Sequence, residues 1–134
     1  MDVIVLIARI LFAAIFLASG IGHLTQAEGM AGYAKSQGIP AAKLGVIVSG
    51  LLMLVGALSI VFGVWGDLGA LMILAAVLPI ALLMHKFWKV EGEARMNEQI
   101  QFNKSLSLAG GALALFALFV LVPELGLTVT GPLL

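Results

Sequence analysis

The sequence predicts an all-α integral membrane protein, an up-down bundle of four transmembrane helices. Three observations carry this. The chain is 62% hydrophobic and only 10% charged, against roughly 25% charged for an average soluble domain. Its apolar residues gather in four runs of spanning length, and its charges collect in short clusters between those runs. At 134 residues, one transmembrane domain over 1–134 is expected, with spans near 3–23, 44–64, 68–84 and 105–122.

The first span is interrupted by a single charge, Arg9. A cleaved signal peptide is the competing reading, but the positive leading region is missing and Asp2 stands in its place. The second span carries no charge from Leu44 to Val64 and passes through Trp65, Gly66 and Asp67 into the third. So short a turn makes the two an antiparallel hairpin. The third span contains Pro79, which removes a backbone donor and predicts a kink that neighbouring helices repair. The fourth is closed by Pro123. Two longer connections remain, 22–43 and 85–104, and the second has room for an interfacial helix before the fourth span. Phe87 and Trp88 stand where an aromatic belt meets lipid headgroups.

Small residues recur four apart at Ala14, Ala18 and Gly22, at Gly45 and Ser49, and at Gly110 and Ala114. Such seams let helix backbones approach closely in lipid. They support a compact bundle; they do not identify a dimer face, and a homo-oligomer is left open.

Composition also excludes. Seven basic residues balance seven acidic ones, so nothing attracts nucleic acid. With no cysteine there is no disulfide, thiolate metal site or dithiol redox centre. The serines lack a nucleophile elbow and no glycine-rich phosphate loop is present, so covalent catalysis and flavin or nicotinamide binding have no sequence support.

Lys35, Lys43, Lys86, Lys89, Arg95 and Lys104 all lie in or beside the two long connections. The positive-inside bias predicts a multi-pass protein of the cell inner (plasma) membrane with those connections cytoplasmic and both termini outside.

Candidate chemistry lies at the span ends. Arg9, Phe16, Gly20 and His23 fall on one narrow helical face, expected to look inward. An arginine inside a span costs at least about 2.5 kcal/mol unless it is paired or snorkels to the interface. Asp67 and Glu124, at the same end of the bundle, are its expected counter-charges. His23 ends the first span and His85 the third, at one depth; Glu98, Gln101 and Lys104 open the fourth there, with Trp88 alongside. These six residues, His23, His85, Trp88, Glu98, Gln101 and Lys104, are the candidate ligand site. Imidazole, titrating ordinarily near pH 6.5, passes protons or donates a hydrogen bond to a quinone carbonyl. The opposing reading is that interfacial histidines merely mark where helices leave the bilayer. Two histidines and one carboxylate make an incomplete metal site, and no metal is expected.

Four local patterns, in order, resemble the DoxX family of small four-helix membrane proteins. They are Arg9 to Phe16 followed by Ser19-Gly20-Ile21-Gly22-His23-Leu24; Tyr33 with Gly38-Ile39-Pro40; His85-Lys86-Phe87-Trp88; and Gln101-Phe102-Asn103-Lys104-Ser105-Leu106 through Gly110-Gly111. The sequence departs from the family where many relatives carry an acid in the second helix: Met53 stands there, before Gly56-Ala57. The resemblance implies a membrane subunit of a redox or oxidative-stress system, since the family includes a subunit of a thiosulfate:quinone oxidoreductase and proteins tied to thiol handling. The expected cofactor is a quinone and the expected partner a soluble or membrane oxidoreductase. The fold also resembles quinone-linked reductases, whose cysteines this chain lacks. A non-enzymatic membrane scaffold or small-solute carrier is the alternative.

Overall fold

The computed structural model describes all 134 residues. It consists of helices α1 (Asp2–Thr25), α2 (Ala27–Ser36), α3 (Ala42–Phe62), α4 (Gly66–Met84) and α5 (Gly92–Leu121), with one 3-10 turn at Phe87–Lys89 and no strand. By length and composition α1, α3, α4 and α5 are able to cross a membrane. α1 packs on α3, α3 on α4 and α4 on α5. The ring closes where Phe12 of α1 lies over Gly111 of α5 and where Arg9 faces the ring of Phe119.

Only 28 of the 134 residues are buried, although most side chains are apolar. The bundle therefore presents its hydrocarbon outward, with residues such as Leu11, Leu51 and Leu113 about half exposed or more. In water so large an apolar surface would aggregate; in lipid it is at home. The interior is small-residue packing around Ala13, Phe16, Ala57, Ile73, Ala112 and Phe119. Gly20 seats α1 on α3, since a Cβ there would stand 2.9 Å from the Gly50 carbonyl oxygen. Gly56 and Gly69 do the same between α3 and α4. These are not the seams expected from four-residue spacing: Ala14 and Ala18 are exposed, and a Cβ on Gly45 or Gly110 would meet nothing within 4 Å. Four-residue repeats occur on every face of helices this rich in glycine and alanine, so spacing alone does not pick the buried face.

The extra helix stands in the first long connection, not before the last span. α2 follows α1 after the single residue Gln26, with Glu28 in its first turn and Lys35 in its last, each suited to the helix dipole. It stops at Gly38, whose φ of +81° closes a Schellman-type end with Ile39 N–H donating to Ala34 O at 3.2 Å. Lys43 pairs with Glu28 and ties α2 to the start of α3. Before the last span the chain makes only the 3-10 turn. The polar stretch then belongs to α5 itself, because Ala94, Arg95, Met96, Glu98 and Gln101 are strong helix formers. At 30 residues α5 is about 45 Å long, so its first turns stand outside a hydrocarbon layer of about 30 Å. α4 continues as a single helix through Pro79.

At the opposite end residues 123–134 fold back over the bundle. Val129 and Thr130 N–H groups donate to the carbonyls of Phe62 and Gly63, which lie at the end of α3 and have no helical donor of their own.

Candidate functional site

Two of the polar features expected from the sequence lie at opposite ends of the bundle. At the tail end Arg9 is fully buried, so it does not snorkel. Nor does it form the expected ion pair with Asp67 or Glu124. Its Nη2 donates to Val61 O at 2.9 Å and Leu127 O at 2.6 Å, while Nε and Nη1 have no protein partner. Val61 belongs to the last turn of α3, where carbonyls lack helical donors and the dipole is negative, so a helix end replaces the missing carboxylate. The Phe119 ring, 6.0 Å away, adds a weak cation–π contact. Asp67, equally buried, sits in the first turn of α4 and accepts from the N–H groups of Leu133 and Leu134 at 2.8 to 3.0 Å. Glu124 is exposed and unpaired. Each buried charge thus holds the folded-back tail, and neither holds the other.

At the α2 end His23 and His85 line one cavity of about 570 Å³. α1 brings His23 to its last turn, and α4 ends at Met84 just before His85. α2 covers the cavity with Gly29, Met30 and Tyr33, joined by Gln26 just before the helix, and the four recur at helical spacing on one face. That spacing was present in the sequence and is the signal by which these residues, absent from the expected site, were identifiable. Thirteen of the twenty lining residues are hydrophobic, and the volume falls within the range of about 300–1,000 Å³ typical of small-molecule sites.

Hydrogen bonds fix both rings. His23 Nδ1 lies 2.9 Å from Ser49 Oγ and 3.3 Å from Val46 O, and Ser49 donates its own proton to Val46 O at 3.0 Å. With the serine proton committed and the carbonyl able only to accept, Nδ1 is the donor. His85 Nδ1 lies 2.9 Å from Glu98 Oε2, again as donor to a carboxylate. Both imidazoles, when neutral, therefore keep Nε2 as a free acceptor.

The other expected residues fall outside the cavity. Glu98 acts only through His85; Gln101 makes no side-chain hydrogen bond, and Lys104 is exposed on α5. Trp88 packs edge-on against Phe87 and Phe102, at 5.2 and 5.8 Å between ring centroids, and lines no part of it. The reason is the order of packing. α5 lies against α4 and the 3-10 turn, whereas the cavity opens on the other side of α4, toward α3 and α2. No three His, Cys, Asp or Glu side chains come together in a way that suits a metal ion.

Fold and site together define a multi-pass membrane helix bundle with a roofed, mostly apolar cavity at one end and a capped arginine at the other. The DoxX family model matches residues 4–86. Two proteins of Escherichia coli (strain K12) are similar over most of their length. Inner membrane protein YphA is 31% identical over 113 residues, covering 84% of this chain and 81% of YphA. Inner membrane protein YqjF is 34% identical over 114 residues, covering 85% of this chain and 82% of YqjF. No solved structure matches. The chain belongs to the DoxX family and is a multi-pass inner membrane protein.

Proposed function

We propose that this protein is the membrane subunit of a redox or oxidative-stress system, and that its cavity holds a quinone head group for a soluble or membrane oxidoreductase partner. The observation that carries the reading is the meeting of His23 and His85, from different helices, on one predominantly apolar cavity. A quinone needs such a place: apolar walls for the ring and a few oriented polar atoms for its oxygens. The chain, free of cysteine, supplies the site and not the electron carrier. One observation favours the alternative of a scaffold or solute carrier without chemistry. Both Nδ1 atoms are already satisfied by protein groups, as a purely structural role also requires.

Extraction in mild detergent, followed by mass spectrometry of retained lipids and proteins, decides between them. Quinone is expected with the native chain and lost with His23→Ala, with His85→Ala and with Gly29→Leu. Gly29 lines the cavity where an added Cβ meets nothing within 4 Å, so that variant fills the space without disturbing the helices. A stable bundle that retains no quinone, or retains it equally in all four forms, leaves the scaffold reading as the better one.

A further inference from the structure

The cavity has a long axis, and its two ends differ. Its lining runs along α3 from Ala42 to Leu52 and along α4 from Ala75 to Met84 and on to His85 just beyond it. Ten residues at 1.5 Å each make about 15 Å, half the depth of a hydrocarbon core. The shallow end holds His23, His85, Gln26 and Tyr33, with α2 laid across it; the deep end is Leu52, Ala75 and Ala76. Between them Gly45, Val48 and Leu52 of α3 face Ala75, Pro79 and Leu83 of α4 at helical spacing. Several of these are surface residues: Val48 is 45% and Leu83 44% exposed. On membrane-spanning helices such a surface meets lipid, so the groove opens sideways into the bilayer while α2 covers it on the headgroup side.

The polar end states what kind of head group fits. No lysine or arginine lines the cavity, so the phosphate of a phospholipid or the carboxylate of a fatty acid would find no counter-charge there. What the histidines offer is two free Nε2 acceptors, their Nδ1 protons being committed to Ser49 and Glu98. Pro79, with no N–H to give, also leaves the Ala75 carbonyl without its helical donor beside the groove. Acceptors call for hydroxyl donors. The donors of the rim, Gln26 and Tyr33, stand on the exposed side, at the α1–α2 junction and on α2.

We infer that the cavity takes the reduced, dihydroxy form of a lipid-soluble ring carrier, whose hydroxyls donate to the free nitrogens of His23 and His85 and whose apolar tail lies in the α3–α4 groove. This rests on the quinone reading above and adds to it the redox form, the route of entry and the place of the tail.

The test uses the full chain in lipid nanodiscs. The probes are decylubiquinol, decylubiquinone and the tail-less duroquinol. Two added hydrogen bonds are expected to make decylubiquinol bind at least about tenfold more tightly than decylubiquinone. Ala75→Phe and, independently, Val48→Phe are expected to weaken decylubiquinol severalfold and to leave duroquinol unchanged, because they fill the tail groove and not the head site. His23→Ala weakens both quinols. If all three probes bind but the two redox forms bind alike, or both phenylalanine variants leave decylubiquinol unaffected, the inference falls and the head-group reading stands. If none of the three binds, the head-group reading falls and takes the inference with it.

Discussion

Arg9 is held by backbone, and this decides what its loss does. Replacing it with methionine leaves two carbonyls without donors, each costing about 1–3 kcal/mol if it stays buried. The same change removes a buried charge that has no counter-charge, a term of opposite sign and several kcal/mol. The two nearly offset, so Arg9→Met is expected to shift the thermal unfolding of the bundle little. The tail, however, loses its anchor at Leu127, and limited proteolysis is expected to cut residues 123–134 in the variant and spare them in the native chain. An equally protected tail means that Leu127 is held without Arg9. Glu124→Gln, exposed and unpaired, is expected to stay within about 0.5 kcal/mol of native, whereas an Arg9–Glu124 pair would make it costly. The inward face bearing Arg9, Phe16, Gly20 and His23 was legible because helical periodicity fixes which residues share a side. The partner was not. Every residue carries a carbonyl, and only the folded chain shows which ones, like Val61 O, lack a helical donor.

At the scale of elements the bundle depends on where backbones touch. A Cβ on Gly20 would stand 2.9 Å from Gly50 O and 3.0 Å from Leu54 N, and one on Gly56 would stand 2.8 Å from Gly69 O. Backbone cannot rotate away as a side chain can, so the helices must separate. Gly20→Ala and Gly56→Ala are each expected to cost about 1–3 kcal/mol, read by helical circular dichroism during denaturation of the detergent-solubilised protein by SDS. Gly110→Ala, which meets nothing within 4 Å, is expected to be neutral or to stabilise by up to about 1 kcal/mol. A reversed ranking would show that the seam runs where four-residue spacing alone had placed it. Hydropathy made the four spans legible because a long apolar run has few other uses. It missed α2, whose half-polar sequence lies where lipid meets water, and it began the last helix too late, since α5 keeps helical hydrogen bonds through a polar stretch that a hydropathy window takes for a connection.

The whole molecule has two unlike ends, and their relation to the membrane bears on any partner. The α2 end carries the cavity and every basic residue but Arg9, from Lys35 to Lys104, while Arg9, buried, is the one basic residue at the other end, where the tail folds back. Basic residues near span ends resist translocation, whereas acids such as Glu91 and Glu93 count for little. The cavity is therefore expected in the cytoplasmic half of the bilayer, where an oxidoreductase partner would approach from the cytoplasm, and the tail on the far side. Alkaline phosphatase fused after Leu134 is expected to be active, because it folds only after export. The same enzyme placed after Lys35 is expected to be inactive, while a fluorescent protein that matures only in the cytoplasm is expected to shine there and to stay dark after Leu134. The reverse pattern at both sites would turn the bundle over and put the cavity, with any partner it serves, on the outer face. A mixed pattern at either site would mean dual insertion, which so one-sided a distribution of lysine and arginine opposes.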